Sequence, residues 1–63
     1  METWLKRVVE EQQALDEKIE KLIGFMQSEG YAKLKIEQRL LLGFQLDVMK
    51  EYTKLLSIRI AYQ

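Results

Sequence analysis

The second half of this chain carries two lines of contact residues on one helix. Gln38, Gln45, Tyr52 and Arg59 recur every seven residues, which is two helical turns, so they share one line. Leu41, Val48, Leu55 and Tyr62 interleave with them at the three-four alternation of a coiled-coil seam. Beside them runs an almost wholly apolar seam, Leu42, Leu46, Met49, Leu56 and Ile60, interrupted only by Thr53. A helix packed on one neighbour needs one seam. The other must face another chain, a ligand, or both, and Leu42, Leu46, Met49, Leu56 and Ile60 are the residues expected at an oligomer interface.

The first half is more regular. Met1, Leu5, Val8, Gln12, Leu15, Ile19, Leu22 and Met26 repeat at spacings of four and three, with Gln12 the single polar member. Glu17 and Lys21 form a helix-supporting pair at i,i+4. The pattern predicts a helix over about 3–28, stopped at Ser28-Glu29-Gly30, with Gly30 suited to a left-handed C-terminal position. A turn is expected over about 29–35, with Tyr31 and Leu34 tucked beneath it. A second helix follows over about 36–61, with Glu37 in its first turn and Lys35 a poor N-cap. Gly43 inside it has two readings: close approach of another backbone, or a tolerated cost of about 1 kcal/mol against alanine.

Two helices of that length, each about 40 Å long, must fold back on one another. The expected architecture is all-α: residues 1–63 form one antiparallel two-helix hairpin that assembles into a homo-oligomeric helical bundle. Pairing about the turn places Lys18 level with Gln45, Glu11 with Tyr52, and Trp4 with Arg59.

Composition narrows the supports available to so short a chain. Domains below about 70 residues usually need disulfides, a metal or oligomerisation. Cysteine and histidine are both absent, which removes disulfides and the common ligands of zinc, copper or iron. Oligomerisation remains. The formal charge is zero, with basic and acidic residues interspersed. That argues against tracking a polymeric nucleic acid, which needs a basic excess, and against a membrane-surface helix with massed lysines. The longest apolar run, Leu40 to Phe44, is far short of the roughly 20 residues of a membrane span. No signal-peptide pattern opens the chain, so a soluble intracellular protein is expected.

Catalysis finds few candidates. The hydroxyls of Thr3, Ser28, Thr53 and Ser57 have no histidine to activate them, and Glu10 and Glu11 sit on a helix surface. No phosphate-cradling glycine loop exists. An enzyme is not expected, and no catalytic residue, metal ligand or cofactor is assigned.

Binding is better supplied. Trp4, Arg7, Glu11, Lys18 and Phe25 follow one line beside the main seam of the first helix. Aromatic and basic groups in a row can stack a base and neutralise a phosphate. The plainer alternative is that Trp4 and Phe25 pack while Arg7 and Lys18 are solvated rim. Tyr52 and Arg59 stand on the facing edge of the second helix. Lys18 and Arg59 lie roughly 20 Å apart by helical rise, so one chain cannot grip a small ligand with both. An antiparallel pair of hairpins can bring Lys18 of one near Arg59 of the other, in symmetric copies. Gln12 is read as setting register; Gln45 is open between structure and ligand contact.

The run Glu37-Gln38-Arg39-Leu40-Leu41-Leu42, with Gln45, Met49, Tyr52, Leu55-Leu56 and Arg59-Ile60, resembles a family of very small proteins from crAss-like and other tailed phages and prophages. Arg7-Val8, Glu11, Leu15-Asp16-Glu17-Lys18-Ile19, Lys21-Leu22 and Phe25-Met26 extend the likeness over nearly the whole chain. That family is similar to the hairpin domain of phage anti-defence sponges: the anti-CBASS sponges for cyclic oligonucleotides and the anti-Thoeris sponges for cyclic ADP-ribose isomers. Those proteins assemble from hairpins, commonly as hexamers, and hold signalling nucleotides between subunits without cleaving them. The resemblance implies a lysine on the first helix and an arginine near the end of the last as phosphate contacts, which fall on Lys18 and Arg59, and an N-terminal aromatic against the base, for which Trp4 is nearest. It also implies a cyclic nucleotide messenger as partner and the cytoplasm of an infected bacterium as location. In those sponges a tyrosine-arginine pair precedes the hairpin; here the helical pattern begins within the first few residues. A rival reading is a structural or adaptor hairpin whose second seam binds a protein and no small ligand.

Overall fold

The computed structural model describes residues 3–62. Helix α1 spans Thr3–Met26, a short α2 spans Glu29–Ala32, and α3 spans Ile36–Ala61. Helices α1 and α3 lie antiparallel as a hairpin measuring 46 × 15 × 12 Å. It is one helix thick and two wide, and correspondingly open. Its surface of 5084 Å² exceeds the about 4,200 Å² of a compact monomer of this mass.

The expected α1 seam is the one that packs. Val8, Leu15 and Ile19 are buried, and Leu5, Gln12, Leu22 and Met26 are half-buried. Met1, expected in the same row, lies outside the described residues. Opposite them, Leu56 is fully enclosed, at 0 % exposure, and Leu46, Met49 and Ile60 pack around this core together with Ile23. Leu42 is half-buried in the same row. This corrects one expectation. The seam assigned to an oligomer interface, Leu42, Leu46, Met49, Leu56 and Ile60, is used inside the chain, against α1.

Two polar side chains explain the choice of seam. Gln12 is the single polar member of the α1 row and Thr53 the single polar member of the α3 row. They meet: Gln12 Nε2 donates to the Thr53 carbonyl at 3.2 Å and to Ser57 Oγ. Thr53 Oγ1 donates in turn to Asp16 Oδ1 at 2.6 Å. A polar group in a seam costs stability unless its hydrogen bonds are satisfied. Facing these rows satisfies both interruptions at once and fixes the axial register.

The connection also departs from expectation. Helix α1 ends at Met26, and no glycine among the described residues has a positive φ, so Gly30 is not a left-handed cap. Ser28 governs the turn instead. Its Oγ donates to the Phe25 carbonyl at the end of α1, at 2.5 Å, and accepts from Tyr31 N at 3.3 Å as the N-cap of α2. Tightened bonds from Gln27 N to Gly24 O and from Ser28 N to Phe25 O close the last turn. The Tyr31 ring stands edge-on to Phe25, with centroids 6.1 Å apart at 85°. Its hydroxyl donates to the Arg39 carbonyl at 3.4 Å, bracing α2 to the start of α3. The poor N-cap expected at Lys35 is observed: its side chain makes no capping bond.

Candidate ligand-binding edge

One edge of the hairpin is shared by the line Trp4, Glu11, Lys18, Phe25 on α1 and the line Gln38, Gln45, Tyr52, Arg59 on α3. The Tyr52 hydroxyl donates to Glu11 Oε2, which ties the two lines together at the level expected from pairing about the turn. One heptad toward the turn, the same pairing sets Lys18 level with Gln45.

Tyr52 is the electrostatic centre of this edge. Its hydrogen bond to Glu11 raises the phenol pKa above the usual 10.0, and loss of water contact and the Glu11 charge push the same way. The Arg59 charge pulls it down, which places that guanidinium within electrostatic reach of the phenol. A neutral O–H held by a carboxylate and flanked by a cation can donate to an anion once Glu11 gives way, or present its ring as a stacking face.

The other expected binding residues are accessible. Arg7, Lys18, Gln45 and Arg59 are exposed, and Trp4 is 46 % exposed. Among the described residues neither Lys18 nor Arg59 is in an ion pair; the one present joins Lys54 to Glu51 at 3.5 Å. Gln45 Nε2 reaches only Met49 Sδ, at 3.9 Å, which leaves most of its amide unused. The structure brings Tyr52 together with Arg59 and, through Glu11, with α1. It does not bring Lys18 to Arg59: with Lys18 level with Gln45, fourteen residues along α3 still separate them, about 20 Å. The described residues enclose no cavity, and no group of three or more acidic, histidine or cysteine side chains among them is placed to hold a metal ion. No helix among them is long and apolar enough to cross a membrane.

The sequence sets Glu11 level with Tyr52 without giving it a role; in the structure it is the direct hydrogen-bond partner of Tyr52. Pairing about the turn is the signal that locates it. The outer row of α3 also emerges as a distinct surface. Leu41, Phe44 and Val48 are 58, 64 and 67 % exposed, and Leu55, Ile58 and Tyr62 continue the exposed row.

A family model described as Sequestin matches residues 2–62. The chain belongs to the Sequestin family, whose name denotes the sequestering of a ligand. No curated protein and no solved structure matches it.

Proposed function

We propose that this Sequestin-family chain is a phage anti-defence sponge. It binds cyclic nucleotide immune signals, cyclic oligonucleotides or cyclic ADP-ribose isomers, between subunits of a homo-oligomer and withholds them without cleavage. The family match across 2–62 carries the reading. The exposed edge supports it with residue types suited to such ligands: cations at Lys18, Arg7 and Arg59 for phosphate, rings at Tyr52 and Trp4 for the base, and an underused amide at Gln45. The mechanism is mass action. The protein acts in the cytoplasm of the infected bacterium, binds more tightly than the host effector, and is made in excess of the signal. No reaction is assigned to it.

A thermal-shift screen against cyclic dinucleotides, cyclic trinucleotides and cyclic ADP-ribose isomers tests this. A ligand that binds only the folded assembly raises its melting temperature, by an amount that grows with ligand concentration. One class is expected to give the shift, and Lys18→Ala and Arg59→Ala are expected to abolish it while leaving the assembly's mass unchanged. No shift from any class would overturn the sponge. It would favour the second reading, an adaptor hairpin, for which the exposed apolar row from Leu41 to Tyr62 is the supporting observation.

A further inference from the structure

The outer row of α3 has no partner within the chain. Leu41, Phe44, Val48, Leu55, Ile58 and Tyr62 follow a three-four alternation in which Glu51 is the single polar member. All are exposed. This is a second coiled-coil seam, and the residues flanking it distinguish among the ways of covering it.

On one side of the seam lie Leu40, Asp47, Lys54 and Ala61; on the other, Gln38, Gln45, Tyr52 and Arg59. In a parallel pair, residues of the first flank meet residues of the second. That sets Lys54 against the partner's Arg59, twice by symmetry, which is repulsive. In an antiparallel pair each flank meets itself. One antiparallel register sets Leu41 on the partner's Ile58, Phe44 on the partner's Leu55 and Val48 beside the partner's Glu51. The same register places Asp47 beside the partner's Lys54, again twice. Sliding by one heptad brings Asp47 onto the partner's Asp47, which halves the apolar layers from four to two, or brings Lys54 onto the partner's Lys54, which keeps four. The apolar pattern thus allows this register and charge selects it, and both are self-complementary about a two-fold axis.

We propose that a second copy of this chain docks antiparallel on the outer seam of α3 in this register, and that the pairing completes the ligand-binding edge. The other flank then runs Gln45 beside the partner's Tyr52 and Gln38 beside the partner's Arg59. Lys18, level with Gln45 on α1, overlooks the same row from the opposite side. Its axial separation from an Arg59 falls from about 20 Å within the chain to about 10 Å across the pair. Each two-fold pair carries two such sites. Each has one cation from each copy, with the partner's Tyr52 ring at the level of Lys18 and the partner's Arg59 one heptad beyond it, a spacing suited to a small molecule with two phosphates and a base. The ligand part of this proposal rests on the sponge reading; the pairing stands independently of it.

Charge exchange tests the pairing. Asp47 and Lys54 are both exposed in the single chain, so their reversal leaves the α1–α3 core intact, and retained helicity by circular dichroism checks that. By sedimentation equilibrium, Asp47→Lys alone and Lys54→Asp alone are each expected to weaken self-association by about tenfold or more, since each turns two attractions into two repulsions. An equimolar mixture of the two single variants is expected to recover the association. In the mixed pair, position 47 of each copy again meets an opposite charge at position 54 of the other. Singles that associate like the wild type, or a mixture no tighter than either single, would overturn the register. Ligand binding is read separately on the wild type. A rescued mixture with no ligand shift would leave the pairing standing and remove the sponge. A ligand shift without rescue would do the reverse.

Discussion

Tyr52 shows how much one side chain on this edge depends on its neighbours. A phenol held by Glu11 on α1 and approached by Arg59 on its own helix reports on the closure of the hairpin. Its folded pKa is raised above the 10.0 of a free tyrosine, chiefly by the hydrogen bond to Glu11. The linkage has a definite sign: the bond's contribution to stability is complete below pH 10, and is lost as pH rises through the raised folded value. In an alkaline titration followed by phenolate absorbance, Tyr52 is therefore expected to ionise late, above the usual 10.0. Glu11→Ala should bring that late step down toward the ordinary range, because it removes both the hydrogen bond and the charge. A titration curve unchanged by the substitution would mean that Tyr52 is not engaged with Glu11.

At the scale of elements, the turn is where local chemistry overrules a familiar signal. Gly30 follows an apolar helix and invites a left-handed cap, yet it lies within α2 without a positive φ. A Cβ added there would meet Phe25 Cε1 at 3.4 Å, an ordinary contact with one edge of a ring. Gly30→Ala is accordingly expected to stabilise the protein by about 0.5–1 kcal/mol, the usual helical preference of alanine over glycine, in urea denaturation at fixed protein concentration. A loss of similar size would restore the left-handed assignment. The same elements show what is legible in sequence. The hairpin and the α1 seam are readable because one apolar row with a single polar break leaves one orientation for the helix. The Glu11–Tyr52 level follows from counting residues back from the turn. Which row of α3 faces α1 is not readable from periodicity, because α3 is apolar on two adjacent faces and neither outranks the other by pattern. The deciding signal is the matched pair of interruptions, Gln12 and Thr53, which only make sense facing each other. Ser28 reads in sequence merely as part of a helix stop. Its double role depends on a side chain bonding backward to Phe25 and forward to Tyr31, which no residue spacing announces.

The whole molecule is an open hairpin with a thin core, an exposed apolar seam along one helix, and an edge of cations, rings and amides beside it. The sponge account joins these parts: assembly covers the seam, and covering the seam brings together binding groups that one chain holds too far apart. Its central claim is that the ligand is held and not consumed. The most direct measurement incubates excess protein with the cyclic nucleotide that raises its melting temperature, separates free ligand by ultrafiltration, then heat-denatures the retained protein and identifies what it releases by chromatography. The account predicts that the nucleotide vanishes from the filtrate and returns chemically intact, in the amount withheld. Nucleotide that stays in the filtrate, or returns as a cleaved product, would contradict it.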